Sequence, residues 1–349
     1  MKIAAVGSAL PDHYYDQATL TRYLEQVFAD DPVAARRLAQ LHAATRVRGR
    51  YLALPLEDYA ALGDFTAQNA AWLRCALELG ERATAQALQR AGLQPADVDA
   101  IFFSTVTGLA SPSLEARLMN RMAMRSDVRR VPMFGVGCVA GAAAVARAAD
   151  FVRAEPRGVA LVLTVELCSL TLQRHDRSVA NLISTGLFGD GAAAAVVVGH
   201  ERAAAGPAIV ATRSVFYPDT EDVMGWDIGS HGFRIVLSPA VPTVARERVP
   251  QDVDAFLAAH RLRRADVARW IAHPGGPKVL QALQDGLGLE TAALQHSWEN
   301  LERVGNLSSA SVLLILEATL AAAPPARGAH GLMLAMGPGF CSELLLLRW

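Results

Sequence analysis

Cysteine is scarce in this chain of 349 residues: Cys75, Cys138, Cys168 and Cys341 stand far apart and form no CxxC or CxxH pair. That argues against a disulfide framework or a structural zinc site, and a chain this long buries enough core to need neither. An excess of charge of one sign is also missing. The 33 Lys and Arg against 34 Asp and Glu leave a formal net charge of -1, so no global field draws nucleic acid or an anionic membrane. Charged residues are only 19% and hydrophobic ones 52% of the chain, a balance that excludes disorder. Long apolar runs are absent too. Val159–Val165 and Ala192–Val198 stop well short of the roughly 18 residues a membrane-spanning helix needs. The opening Met-Lys-Ile-Ala-Ala-Val-Gly is cut off by Pro11 and Asp12; it is too short for a secretory segment and reads as a first strand. These absences lead to the expectation of a compact cytoplasmic protein without nucleic-acid or membrane partners.

The length predicts two domains or one large duplicated one, at roughly 100–200 residues per domain. From Asp64 to Gly92 the apolar positions recur at helical spacing and stop at Gly-Leu-Gln-Pro, which predicts one long helix. Ala-Ile-Phe-Phe-Ser-Thr follows as a run suited to a strand buried on both faces. Runs of the same kind recur at Val131–Phe134, Val159–Val165, Ala192–Val198, Ile209–Phe216, Trp270–Ala272, Leu332–Met336 and Leu344–Leu347, mostly separated by helical segments. This alternation predicts an α/β fold. The passage from the helical stretch Pro250–His260 through Leu262–Val267 into Trp270 repeats the passage from Gly92 through Asp99 into Ile101, so two similar halves are expected. The break falls near Arg202–Pro207, giving halves of 1–203 and 204–349. The stretch Tyr217–Trp226 is irregular and reads as a surface loop.

Three segments carry chemistry. Phe134–Phe151 places Cys138 after a strand, in a glycine turn, at the opening of a helix. The positive end of the helix dipole and its free N–H groups favour a thiolate there, the form that attacks carbonyl carbon. A buried core cysteine is the competing reading. Trp270–Pro277 ends an apolar strand with His273 before a Pro-Gly-Gly-Pro turn; alone, a histidine in that place is as well explained by the core. Gly305–Ser311 puts Asn306 ahead of a helix of small residues, where an N-cap is the ordinary role of asparagine. The three lie far apart in sequence, so only a fold can unite them.

Taken together with Leu187–Ala194 and Met336–Phe340, these segments make the chain resemble the type III polyketide synthases. These are the chalcone synthase-like branch of the thiolase superfamily, and the resemblance extends over essentially the whole length. It implies a thiolase-like α/β fold whose two halves form an α/β/α/β/α stack, the first half carrying the cysteine and the second the histidine and asparagine. It implies condensation of CoA thioesters without metal or redox cofactor. Cys138 would take the starter acyl group, His273 would keep it thiolate, and His273 and Asn306 would stabilise the enolate of decarboxylated malonyl-CoA. Phe188 and Phe233 match gatekeeper aromatics between the CoA tunnel and the cavity, and Ser308 belongs to the Gly-Asn-Leu-Ser-Ser motif. Arg46, Arg48 and Arg50 fall where the family presents cations to CoA phosphates. Thiolase-fold proteins are generally dimers, so a homodimer is implied.

Departures from the plant pattern bear on substrate choice. The family's Gly-Phe-Gly-Pro-Gly loop reads Ala335-Met336-Gly337-Pro338-Gly339 here. Cys168 and Thr171 occupy cavity-lining positions held by threonines in plant relatives, and Ser111 replaces a bulkier residue that reaches toward the partner subunit's cavity. The pattern is similar to bacterial synthases that extend long fatty acyl-CoA starters with malonyl-CoA to alkylresorcinols, alkylresorcylic acids or alkylpyrones. A malonyl-primed naphthalene-type synthase is the alternative. Ketoacyl-acyl-carrier-protein synthase III and a non-catalytic thiolase-fold partner protein are more remote ones.

Overall fold

The computed structural model describes residues 1–349. Nine strands form one continuous sheet. From one edge these are Val267–Ala272, His330–Gly337, Cys341–Arg348, Ala208–Phe216, Lys2–Ala9, Asp190–Val198, Val159–Leu167, Ala100–Thr105 and Arg129–Phe134. The pairing repeats itself. Lys2–Ala9 runs antiparallel to Asp190–Val198, which is antiparallel to Val159–Leu167, which is parallel to Ala100–Thr105. Ala208–Phe216, Cys341–Arg348, His330–Gly337 and Val267–Ala272 follow the same order and the same senses. The two sets meet only through the Lys2–Ala208 pair. The matching passages seen in the sequence occupy equivalent places: one 3-10 turn, Pro95–Asp97, leads into Ala100–Thr105, and another, Arg264–Asp266, leads into Val267–Ala272.

Strand periodicity sorts side chains into three cores. Along Asp190–Val198, Ala193, Ala195 and Val197 join a central cluster, whereas Ala192, Ala194, Val196 and Val198 join a second one outside. Along Cys341–Arg348, Leu345 and Leu347 face the centre and Leu344 and Leu346 a third cluster. The helices Ala140–Ala154 and Ser311–Ala321 fill the centre. Ser311–Ala321 is apolar nearly all round, Glu317 near its end meeting Arg90 and Ser8, as suits a helix buried between two sheet halves. Ala140–Ala154 is mostly alanine, and small side chains let both sheet halves approach it. The long helix Phe65–Ala91 covers the outer face of the first half, capped by Asp64 accepting from Ala67 N–H and ended by Gly92 in the left-handed region. Five layers result: helix, sheet, helix pair, sheet, helices.

Three expectations change. Ile209–Phe216 is not buried on both faces: within Ala208–Phe216 only Ile209 is buried, and Val210 and Phe216 are exposed. Arg129–Phe134 is not buried on both faces: it is the sheet's edge, with Val131 and Phe134 exposed, because no element of this chain covers it. Tyr217–Trp226 is surface loop only in part: Pro218, Asp219, Glu221 and Asp222 are exposed outside any strand. Tyr217 and Val223 are buried, and Trp226 lies in the strand Met224–Gly229, which pairs with Gly232–Leu237 as a hairpin apart from the main sheet. Its aromatic and apolar residues found cover that the sequence pattern alone does not announce. No helix is long and apolar enough to cross a membrane.

Candidate active site

The strand Arg129–Phe134 ends in a turn in which Gly137 has φ of +63° and opens a 3-10 turn that runs into Ala140–Ala154. A Cβ on Gly137 would stand 2.5 Å from Pro338 Cδ, so glycine is required both for the backbone angle and for the approach of the Gly337–Gly339 loop. This turn holds Cys138, buried, its Sγ donating to Ser308 Oγ at 3.5 Å. His273 follows the strand Val267–Ala272 and is fixed by its N–H donating to the Leu334 carbonyl at 2.8 Å. Its ring is buried and neither nitrogen has a partner. The Asn306 side chain accepts from Ser308 N–H at 2.8 Å through Oδ1, leaving Nδ2 to donate, with Gly275 carbonyl at 3.4 Å.

Cys138, His273, Asn306 and Ser308 line one chamber, together with Phe188, Cys168 and Pro338. The strand register of one half and the helix start of the other thus unite residues that the sequence separates. A second, mainly apolar chamber adjoins it. Leu20, Leu24, Leu52, Leu56 and Leu172 line it, and Cys168, Phe188, Trp226 and Ile235 form the wall common to both. The remaining candidates divide. Thr171 and Phe233 face only the second chamber; Phe233 packs edge-on to Phe65 and Trp226, while Trp226 and Ile235 of the same hairpin line both chambers. Gly337 is buried behind the Cys138 turn, and Gly339 sits in a neighbouring cleft with Phe134 and Ile228. Ser111 is exposed and lines neither chamber of its own chain. Arg46 and Arg48 are exposed and both pair with Glu302. Arg50 is buried, lines the second chamber and donates to the Phe188 carbonyl, so it is no part of an exposed phosphate-binding rim: its strand, Gly49–Leu52, turns inward between the Phe188 and Gly305 turns.

Burial pushes the Cys138 thiol up to about 12, with the Glu166 carboxylate adding to the rise and the Ser308 contact opposing it. Burial alone pulls His273 down to about 3. Burial in the chamber thus works against the charged form of both the thiol and the imidazole, and opposes the thiolate that the helix terminus favours. Proton transfer from one to the other makes two charges that compensate each other in a desolvated space. Glu166, under the chamber, accepts from Val106 N–H, Thr107 Oγ1 and Ser309 Oγ, and burial raises it to about 7. Sequence reasoning passed over it because a lone glutamate in a strand carries no motif.

These shifts predict an unusual stability profile. His42, like His273, is lowered to about 3, by burial first and the Arg50 charge second. Each histidine stabilises the fold above its unfolded value of 6.5, and that contribution is lost as pH falls below it, with a slope of ~1.4 kcal/mol per pH unit. Glu166 and Asp190, raised by burial to about 7 and about 6, act the other way: their contribution is full at low pH and is lost as pH rises from about 4. Between about pH 4.5 and 6 these four slopes cancel, and below about pH 4 the two histidines are joined in the same direction by Asp16, Asp31 and Asp127, whose carboxyls hydrogen bonds hold below their usual value. Urea midpoints are expected to be flat across the first range and to fall in the second. His42→Gln is expected to make stability rise as pH falls through the first range.

An α/β stack with an internal repeat, two buried central helices and a cysteine at the start of one of them defines the thiolase-type fold. Residues 1–201 match the profile of the chalcone and stilbene synthases, N-terminal domain, and residues 208–349 that of the C-terminal domain. The chain belongs to the chalcone and stilbene synthase family, the type III polyketide synthases. It is 51% identical over 99% of its length to 1,3,6,8-tetrahydroxynaphthalene synthase of Streptomyces peucetius subsp. caesius, covering 93% of that protein. It is 32% identical over 97% of its length to phloroglucinol synthase of Pseudomonas fluorescens, covering 96% of that one. The crystal structure of 1,3,6,8-tetrahydroxynaphthalene synthase from Streptomyces coelicolor superposes with a TM-score of 0.95 at 32% identity, covering 100% of this chain and 99% of that one. Germicidin synthase from the same species superposes at 0.92 with 26% identity, covering 100% and 99%.

Proposed function

We propose that this chain primes with malonyl-CoA, extends by decarboxylative condensation, and closes the poly-β-keto chain to a naphthalene-type product. The convergence of Cys138, His273 and Asn306 on one chamber supports the reaction, and the 51% identity to a tetrahydroxynaphthalene synthase over 99% of the chain carries the product class. His273 takes the Cys138 proton as the thiol adds to the starter thioester, and returns it to the departing CoA thiolate. A further malonyl-CoA loses CO2; the electron pair left behind becomes an enolate, whose oxygen meets N–H donors of His273 and Asn306. The enolate carbon attacks the Cys138 thioester and expels the thiolate. The lengthened chain returns to Cys138 for the next round.

The test is mass spectrometry of products from purified protein given malonyl-CoA alone, then with acyl-CoAs of increasing length. An aromatic product from malonyl-CoA alone supports the reading, and a requirement for an acyl-CoA removes it. The apolar second chamber favours a second reading, a long fatty acyl starter leading to alkylresorcinols, alkylresorcylic acids or alkylpyrones. Trp226→Ala, which opens the wall between the chambers, is expected to raise kcat/KM for long acyl-CoAs at least ~10-fold, the value of one or two apolar contacts. The proton relay has its own signature. In His273→Gln, iodoacetamide modification of Cys138 at pH 7.5 is expected to slow at least ~100-fold, because no base remains beside the thiol to take its proton.

The site also has an outward face. Leu109, Val131, Phe134, Phe216 and Ile228 are large, apolar and exposed, and Phe134 and Ile228 border a cleft that shares Met224, Trp226 and Pro338 with the chamber. This supports a homodimer formed over that face, with Ser111 of one copy near the cavity of the other. Sedimentation as a monomer at micromolar concentration would contradict it. Arg46 and Arg48, exposed and paired with Glu302, are the cations whose charge suits CoA phosphates in this reading.

A further inference from the structure

Arg50 is the one cation of its trio that the fold withdraws from water, and it does so at the meeting of three segments. Its strand, Gly49–Leu52, stands outside the main sheet and pairs only with His13–Asp16. Nη1 donates to the Phe188 carbonyl at 2.6 Å. Phe188 in turn is bridged to Asn306, with Asn306 N–H donating to the Leu187 carbonyl at 2.9 Å and Gly189 N–H to the Asn306 carbonyl at 3.0 Å. Phe188 comes from the first half of the molecule and Asn306 from the second. The Arg50 stem lies against both turns, within contact distance of the positions of Gly189 and Gly305.

This arrangement is costly for packing alone. The Arg50 Nε has no partner, and the guanidinium has no ion pair: the buried Asp190 carboxylate acts on its charge only through space and is itself engaged by Ala53 N–H and by Ser169 N–H and Oγ. An apolar side chain of similar length would fill the space without an orphaned donor or a buried charge. A fold that keeps such a group at the seam between its halves is using it for geometry.

We infer that Arg50 is a positioning residue for malonyl decarboxylation: by holding the Phe188 carbonyl it fixes the paired Phe188 and Asn306 turns, and so the direction in which the Asn306 amide donates into the chamber. The inference rests on the role proposed above for Asn306. That amide has its oxygen side held by Ser308 N–H, so its Nδ2 follows any displacement of the turn. A shift of ~1 Å in such a group costs up to ~100-fold in rate.

The experiment follows CO2 release from malonyl-CoA by the full-length protein and by Arg50→Lys and Arg50→Met, alongside thermal melts and the rate of iodoacetamide modification of Cys138. The expected result is a kcat lowered about 10- to 100-fold in both variants, with KM unchanged within about twofold, a cooperative melt retained, and Cys138 modified at the wild-type rate. Arg50→Lys, which keeps one donor, is expected to retain more activity than Arg50→Met. An unchanged kcat overturns the inference. A raised KM with kcat intact overturns it in favour of a CoA-phosphate contact. Parallel loss of Cys138 modification, or failure of both variants to fold, overturns it in favour of a purely structural role. If the wild-type protein itself releases no CO2 while Cys138 remains reactive, the proposed reaction fails, and the Arg50 inference falls with it for that separate reason.

Discussion

Replacing Cys138 with alanine is expected to abolish product formation, by at least ~10⁴-fold, while leaving CO2 release from malonyl-CoA within about tenfold of wild type. The two halves of the chemistry draw on different atoms. Condensation needs an acyl group held covalently, and only a thiolate in the chamber supplies that. Decarboxylation needs N–H donors aimed at the thioester oxygen, which His273 and Asn306 still provide. The substitution removes little else: Cys138 makes a single polar contact, to Ser308 Oγ, so the melt is expected to stay close to wild type. His273→Ala and Asn306→Ala are expected to lose both activities, which separates them from Cys138. Cys168→Ala is the control. It removes the other thiol that lines the chamber and is expected to change the product profile while condensation persists. Product formation that survives Cys138→Ala and disappears in Cys168→Ala would move the nucleophile to Cys168.

Gly141→Val is expected to prevent folding or to lower the melting temperature by at least ~10 °C. Gly141 begins the central helix Ala140–Ala154 at its contact with the Ser309 turn. A Cβ there would lie 2.2 Å from the Ser309 carbonyl oxygen and 2.8 Å from Val312 Cγ1. Overpacking a core commonly costs ~1–3 kcal/mol because side chains give way, but here the obstacle is backbone on the other side. Relief requires the two central helices to part, and with them the two sheet halves they join. Against a total stability of ~5–15 kcal/mol, a loss beyond about 4 kcal/mol leaves a small margin. Circular dichroism melts decide it, with Gly63→Ala as the comparison, since that position has open space around it and is expected to be neutral. A Gly141→Val melt within about 2 °C of wild type would show that the central layer is not packed as described.

Much of this was readable in the chain because local rules and the fold agreed. Asp64 and Gly92 bracket the long helix as cap and stop, and Ala100–Thr105 reads as a buried strand because its six residues are apolar or small in strict succession. The repeat of a turn leading into a strand at Asp97 and Asp266 pointed to the duplication. The departures share one cause: their fate is decided by neighbours remote in sequence. Nothing in Arg46-Val-Arg-Gly-Arg distinguishes the two exposed arginines from Arg50, which is buried only because two turns from different halves close around it. Trp226 looked like loop because its covering surface comes from Phe188, Phe233 and Ile235. Val131 and Phe134 looked like core and are edge, since strand patterning reports hydrophobicity and not which faces a single chain covers.

The hairpin Met224–Leu237 pairs with nothing but itself, yet it supplies Trp226 and Ile235 to both chambers. The thiol, imidazole and amide sit instead on the strand ends and helix starts that anchor the whole stack. Reactivity is thus tied to the nine-stranded sheet and its central helices, and part of the wall of the reaction vessel to a hairpin outside that sheet. Substitutions in the hairpin can reshape what is made without reopening the question of whether the protein folds, so a lineage built on this plan is free to wander among products while its bond-forming step stays put.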